Sequence, residues 1–349
     1  MKNNHQRGMA LLVVLMITAM MAIIAVNMSD YGLRALNRAT STQFYLQSKW
    51  LLLSAESQVQ RQQLSSLPTD RIHLGQPWAR TEQQIVLDGS QVNFRLRDRQ
   101  ACFNLNGIGQ GRGTDTKKEQ ESSEKREEEK KKEAESQGAE SKASPSIPYS
   151  QQVFQHLLLT QGVDATQAQN ITFALADWID KDDISRSEGS EATLYREHRP
   201  MLTPANRPIL DISEFRVLAG VDQMLYLRLK PLICTLPNQN LRININTLSP
   251  AQAPLLSALF LGEMSVEVAQ QLLASRPATG WSSLNALKPF IADNNMAFAK
   301  AQTAITLTSD HFELLLWLDE EQRSSRMRSL FQRDGQVFKV LSRQYGLID

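Results

Sequence analysis

Cysteine and histidine are scarce, and no one sign of charge dominates; each shortage removes a class of function. Cys102 and Cys234 are the only two cysteines, too few for a disulfide-built scaffold and too far apart for any metal or redox spacing. Whether they pair in an oxidising compartment or stay as buried thiols remains open at this level. His5, His73, His156, His198 and His311 are scattered, no serine sits in a nucleophile elbow, and no glycine-rich phosphate loop is present. Nothing here resembles a catalytic set, so an enzyme is not expected. Lys and Arg total 38 against 37 Asp and Glu, a formal charge of +1, so the one-signed field that nucleic acid requires is absent. What is present is ordinary apolar content, 42% over 349 residues, enough for a real core and for two domains.

From Met9 to Met28 the chain reads MALLVVLMITAMMAIIAVNM without a charge. A helix of that length is about 30 Å long and matches the hydrocarbon thickness of a bilayer. Lys2 and Arg7 are the only charges before it. The positive-inside tendency therefore keeps the N-terminus cytoplasmic and sends everything after Met28 across the membrane. A cleaved secretory signal has a shorter apolar region, roughly 7 to 15 residues. Here helix-compatible sequence continues, with apolar residues at Leu33, Leu36, Phe44, Leu51, Ala55 and Val59 and no proline before Pro68. One helix is expected from Met9 to Leu64, roughly 80 Å long.

Strand patterns follow. Gln84 to Leu87 and Gln91 to Leu96 flank Asp88-Gly89, a hairpin turn signal, and Phe103 to Asn106 reads as a continuation. At the far end His311 to Leu318, Arg326 to Arg333 and Gln336 to Arg343 read as three strands, the last two joined through Asp334-Gly335. Between these ends lies a charged tract, Lys117 to Lys142, with eight Lys or Arg and nine Glu and no apolar residue larger than alanine. It cannot bury a core and reads as a disordered insertion. From Tyr149 to about Ala304 the periodicity is helical. Val153, Phe154, Leu157 and Leu158 form one stripe, and Ile171, Ala174, Leu175 and Trp178 form a second. A capping box at Asp211 to Glu214 and a Ser249-Pro250 start mark two further helices. The expected class is α+β: a long helix on a small antiparallel sheet, with an all-α domain inserted between strands. The boundaries are a leader over 1–8, a membrane span over 9–28, the helix and first strands over 29–112, the charged insertion over 113–148, the helical domain over 149–305 and the closing strands over 306–349.

A short basic leader ending in Gly8, then Met9, an apolar stretch and an amphipathic continuation resembles the N-terminus of type IV pilins and type II secretion pseudopilins. The resemblance implies cleavage by a prepilin peptidase between Gly8 and Met9, with N-methylation of Met9. Most members carry a glutamate five residues into the mature chain, where this sequence has Val13. In that respect the chain is similar to the K-type minor pseudopilin, which lacks the acid. A carboxylate in an apolar bundle is costly unless paired with a neighbour's terminal amine, so Val13 suits a subunit at a filament end, which lacks a neighbour on one side. Landmarks at Asp177 to Asp182, Gly189 to Glu191, Ala205 to Pro208, Ser213 to Arg216 and Ile243 to Thr247 extend the resemblance over most of the chain; the Lys/Glu tract does not belong to the pattern. The resemblance implies a subunit that caps the pseudopilus tip and helps start its assembly, with I-type and J-type minor pseudopilins as partners. It also implies inner-membrane location and a role in moving folded exoproteins.

Asp180, Asp182, Asp183, Glu188 and Glu191 crowd one short stretch. Hard oxygen donors at this density suggest calcium, and the resemblance implies the same. The spacing is only partly that of an EF-hand, since Ile184 and Ser185 stand where a ligand and the turn glycine belong. The plainer reading is a solvated loop capping the helix that ends at Asp180. The rival function is a membrane-tethered helix-hairpin-helix module for DNA or exoproteins, because Ile243 to Leu287 resembles that fold. Its hairpin, Leu261-Gly262-Glu263-Met264, has one glycine and an acid, a poor phosphate grip.

Overall fold

The computed structural model describes residues 5–109, 147–181, 204–291, 295–320 and 323–346. Helix α1 (His5–Val59) is a single element, extended by one π-helical turn at Gln60–Leu64. With no proline before Pro68 and few glycines, nothing in the chain interrupts it. Every side chain from residue 9 to residue 39 is exposed, and burial begins only at Thr40. Phe44, Leu52, Ala55, Val59 and Leu64 then turn inward against a sheet. This stripe differs from the expected one: Leu33 and Leu36 are exposed and Leu51 is half-buried, while Leu52 is fully buried. The stripe is set by the sheet it meets, so no residue before Thr40 can join it. Each fully buried Leu or Phe contributes about 1.5–3 kcal/mol, which fixes the C-terminal part of α1 and leaves the rest to another environment.

The sheet has five strands in the order β1-β2-β7-β8-β9: β1 (Gln83–Leu87), β2 (Ser90–Asp98), β7 (His311–Glu320), β8 (Arg323–Asp334) and β9 (Val337–Tyr345). All four pairings are antiparallel. Asp88 and Gly89 both take positive φ, 47° and 80°, the conformation a two-residue hairpin requires. Val92, Phe94 and Leu96 of β2 face α1 together with Phe312, Leu314, Leu316 and Leu318 of β7. The central strand β7 therefore comes from the far end of the sequence, and everything between β2 and β7 is an insertion.

Within that insertion, α2 (Tyr149–Thr160), α3 (Ala165–Ile179), α4 (Gln223–Leu229), α5 (Ala253–Leu259), α6 (Val266–Ala274) and α7 (Asn295–Ala304) enclose a second and larger core. The capping box is formed, with Ser213 N donating to Asp211 Oδ1 (2.9 Å) and Asp211 N to Glu214 Oε1 (3.2 Å), although it opens a 3-10 stretch rather than an α-helix. The module is not purely helical. Two short parallel pairs floor it: β3 (Phe103–Asn104) with β4 (Ile233–Cys234), and β5 (Ile243–Asn244) with β6 (Ile305–Thr306). Phe103 to Asn106 is thus not a continuation of the sheet, and Phe103 and Leu105 belong to the larger core. Two-residue strands carry no alternation that a sequence could display.

The two floors share one device. Asn106 N donates to Asn104 Oδ1 (3.2 Å), and Asn246 N to Asn244 Oδ1 (3.0 Å). The second asparagine of each pair then exchanges hydrogen bonds with a distant backbone. Asn106 receives Ile209 N (2.7 Å) and donates to Ile209 O (2.9 Å); Asn246 receives Trp281 N (2.8 Å) and donates to Trp281 O (3.0 Å). Both are buried side chains acting as an extra peptide group. Cys102 and Cys234 are joined by a disulfide with Cα atoms 5.8 Å apart, beside the β3–β4 pair.

Candidate functional site

The apolar N-terminal part of α1 is the most conspicuous functional surface. Gly8 lies in the helix backbone, Met9 is exposed, and Val13 is half exposed among Leu11, Leu12, Val14 and Leu15, all exposed. A continuous apolar surface of this length is unfavourable in water and suits lipid or neighbouring apolar helices. It is the one helix among the described residues long and apolar enough to cross a membrane, and it fits a single-pass anchor.

Farther along, the helix is held by polar contacts that the apolar pattern hides. Glu56 is buried within the stripe and receives Arg343 Nε at its Oε2 (2.8 Å) and Arg343 Nη2 at its Oε1 (2.7 Å), with the Ser329 hydroxyl also donating. Gln60 Nε2 donates to Phe338 O (2.6 Å) and Arg323 to Thr40 O (3.2 Å). These contacts fix the register between helix and sheet. Beside them, Phe44, Trp50, Leu51 and Leu318 line a groove of about 390 Å³ with Asp88 and Glu320 among its walls.

A second polar knot sits where the chain passes between the two modules. Asp98, at the end of β2, accepts from Gln100 N (2.7 Å), Asn244 Nδ2 (3.2 Å), Ser309 Oγ (2.5 Å) and Thr247 Oγ1 (2.5 Å). Burial pushes its carboxyl up, and the donated hydrogen bonds from Ser309 and Thr247 offset part of that effect. Asn244 also donates to Ile72 O (3.1 Å), so three separate segments meet at one carboxylate. Gly75 lies against the insertion here; a Cβ would come within 2.0 Å of Ala278 O. Neither Glu56 nor Asp98 was anticipated. A charged residue at helical spacing among Leu52, Ala55 and Val59 was a readable signal for Glu56; Asp98 had none.

Of the expected calcium ligands, Asp180 closes α3, its backbone N–H donating to Ala176 O (3.1 Å), and its side chain is half-buried. Asp182, Asp183, Glu188 and Glu191 lie outside the described residues, as do Lys117 to Lys142. Of the five, Asp180 is the one that lies among the described residues.

The hairpin between α5 and α6 uses its own amides. Gly262 N donates to Ser257 O (3.5 Å) and Glu263 N to Phe260 O (3.0 Å), while Ser257 Oγ donates to Met264 O (2.6 Å). Leu261 and Gly262 take positive φ, 52° and 87°, and Gly262 backs onto His156. Backbone amides closed on themselves and an adjacent Glu263 leave no nest for a phosphate. The DNA-binding alternative finds no support here.

Residues 101–238 and 243–308 match two family models, each described as "Type II secretion system (T2SS), protein K". A type II secretion system protein K from Klebsiella pneumoniae is 35% identical over 349 residues, covering 99% of this chain and 98% of that protein. The chain belongs to the type II secretion system protein K family. A second member, from Dickeya chrysanthemi, is 36% identical over 351 residues, again spanning 99% of this chain and 98% of its own. The fold matches a chain of the crystal structure of the GspK-GspI-GspJ complex from enterotoxigenic Escherichia coli with TM-score 0.71 and 32% identity, over 89% of this chain and 100% of that one. The protein K assignment agrees with the minor pseudopilin expected from the sequence and with its α+β fold. The two matched segments begin close to Asn104-Asn106 and Asn244-Asn246, so each segment carries one asparagine floor.

Proposed function

We propose that this protein K member caps the tip of a type II secretion pseudopilus and helps initiate its assembly. The observation that carries the reading is the split character of α1: exposed over residues 9–39 and apolar over residues 9–28, then packed on its own sheet from Thr40 onward. The exposed part seeks lipid before assembly and neighbouring pseudopilin helices after it. I-type and J-type minor pseudopilins are the proposed partners, following the complex in which the similar GspK chain is found. The groove at Phe44, Trp50, Leu51 and Leu318 supports this reading, because it leaves apolar side chains open to a neighbour on the part of α1 held by the sheet. The inserted module, resting beside the sheet, makes the subunit too wide for a closely packed shaft. Its role is structural, with no chemistry of its own.

In this reading prepilin peptidase cleaves between Gly8 and Met9, Met9 becomes N-methylated, residues 9–28 span the inner membrane, and the rest is periplasmic. The Cys102–Cys234 disulfide supports that orientation, since such bonds persist in oxidising compartments. Val13 leaves no unpaired carboxylate at a tip position. Calcium is proposed for the acidic stretch from Asp180 to Glu191. Asp180 fits such a role: it stands at the C-terminal end of α3, whose carbonyls carry partial negative charge that favours a cation. Asp180, Asp182, Asp183, Glu188 and Glu191 are the residues that would hold the ion, which would supply positive charge to a stretch of like charges. Calorimetry with calcium tests this, and binding unaltered in both Asp180→Ala and Glu191→Ala would remove it.

Mass spectrometry of the mature N-terminus tests the main reading. A chain beginning at N-methylated Met9 is expected; one still beginning at Met1 in cells with active peptidase would overturn it.

A further inference from the structure

Strand β1 pairs with β2 only as far as Gln83 opposite Phe94, whereas β2 continues to Asp98. On its other side β2 remains paired with β7 through Asp98 opposite Phe312. Arg95 to Asp98 therefore present a free strand edge, and no other backbone segment pairs with it among the described residues. An unpaired edge holds backbone donors and acceptors ready for another strand.

This edge opens into a cleft of about 540 Å³ between the sheet and the inserted module, walled by Trp78 and Thr81 on one side and Lys230, Pro231 and Gln252 on the other. The volume is in the range of specific ligand sites. Its charge is biased. Arg95, Arg97, Arg99 and Lys230 line it, and Asp98 is the one lining acid, already engaged by four donors within the fold. The outlying acids Glu82 and Glu313 neutralise the arginines loosely, at 3.9 Å from Arg95, 4.0 Å from Arg97 and 3.6 Å from Arg99. Arg99 Nε is buried and makes no hydrogen bond.

We infer that this cleft receives an extended acidic peptide segment of another protein, which adds a short strand to the free edge of β2. Main-chain pairing with Arg95 to Asp98 supplies sequence-tolerant affinity, and alternate carboxylates meet Arg97, Arg99 and Lys230. Lys230 stands across the cleft from the strand, so the ligand is read from both modules. The inference is independent of the pseudopilin assignment, because none of these residues lies on the exposed part of α1.

Fluorescence anisotropy of the full chain in detergent micelles tests it, with a labelled peptide of alternating glutamate and valine as probe. Saturable binding is expected, weakened about tenfold by either Arg97→Glu or Lys230→Glu. Both side chains are well exposed, and circular dichroism of each variant confirms the fold. A peptide with proline at alternate positions, which lacks the amides for strand pairing, is expected to bind about tenfold more weakly. Equal binding of the proline peptide, equal binding of a lysine-valine peptide, or no saturation by about 1 mM peptide would overturn the proposal. Displacement of the probe by an oligodeoxynucleotide at equal concentration would overturn the class of ligand.

Discussion

Arg343, near the end of the last strand, places its guanidinium in a two-point contact on Glu56 of the N-terminal helix, 287 positions earlier, at 2.7 and 2.8 Å. Glu56 is 4% exposed and Arg343 40% exposed, so the acid is the member that depends on the pair. Removing the arginine leaves a buried, uncompensated carboxylate. Arg343→Met is expected to destabilise the fold by about 2–4 kcal/mol, below the full cost of breaking a buried pair because Arg343 is partly solvated. Glu56→Leu with Arg343→Met should recover most of the loss. Chemical denaturation of the detergent-solubilised chain measures both, and a double variant as unstable as the single one would contradict the pairing argument.

Asp98 is the corresponding point at the junction of the modules. Asp98→Ala removes the acceptor of the Ser309 hydroxyl and of Gln100 N in a buried place, while Thr247 keeps Asn244 O and Asn244 keeps Ile72 O, an expected loss of about 2–4 kcal/mol. Limited proteolysis should then cut preferentially near residues 98–100 and 307–310, where the chain enters and leaves the insertion. Unchanged protease resistance would show that other contacts hold the junction.

The two asparagine floors make a paired prediction. Asn106→Ala and Asn246→Ala each leave a buried backbone N–H and C=O unpaired, so each is expected to cost about 2–4 kcal/mol. Because the two side chains share no hydrogen-bond partner, the two losses should add within about 0.5 kcal/mol. Thermal unfolding of the single and double variants gives the comparison.

Acid should loosen the sheet through His311. This side chain is buried, neither ring nitrogen makes a hydrogen bond, and burial holds its pKa below the ordinary value of 6.5, with nearby Asp310 opposing. A depressed histidine favours its neutral form in the fold, so its stabilisation is present above 6.5 and is lost as pH falls through the folded value. His73 and His156 are shifted the same way by burial. Asp98 acts oppositely: with its pKa raised by burial, the stability it contributes is lost as pH rises through the folded value. His311→Phe should flatten the stability curve below 6.5, as read by denaturation midpoints across pH.

The disulfide closes a loop of 132 residues. Chain-entropy arguments give such a crosslink about 4–5 kcal/mol against the unfolded state. Reduction, or Cys102→Ser, should lower the unfolding temperature of the inserted module, and calorimetry with and without reductant reads the shift.

The strand signals at both ends were legible because they alternate and carry turn residues: Asp88-Gly89 and Gly335 stand where hairpins need positive φ. The helical stripes of α2 and α3 were legible for the same local reason, and Val153, Phe154, Leu157, Leu158, Ile171 and Leu175 are all fully buried. The floors β3–β4 and β5–β6 were not legible, since a two-residue strand has no period and its partner lies far along the chain. The chemistry of Glu56 and Asp98 was hidden too, because a sequence shows a charge but not what will surround it.

The sequence by itself determined that one uninterrupted helix would run from the apolar N-terminus past a membrane, since composition and the absence of proline act locally. It also determined that strands at the two ends would bracket a helical insertion. Only the tertiary structure decided which face of that helix is buried, that Leu52 and Glu56 lie inward while Leu33 and Leu36 do not, and that Cys102 meets Cys234. Only it left the edge of β2 open at Arg95 to Asp98. These outcomes depend on contacts between residues far apart in the chain, and no local periodicity encodes where such partners will meet.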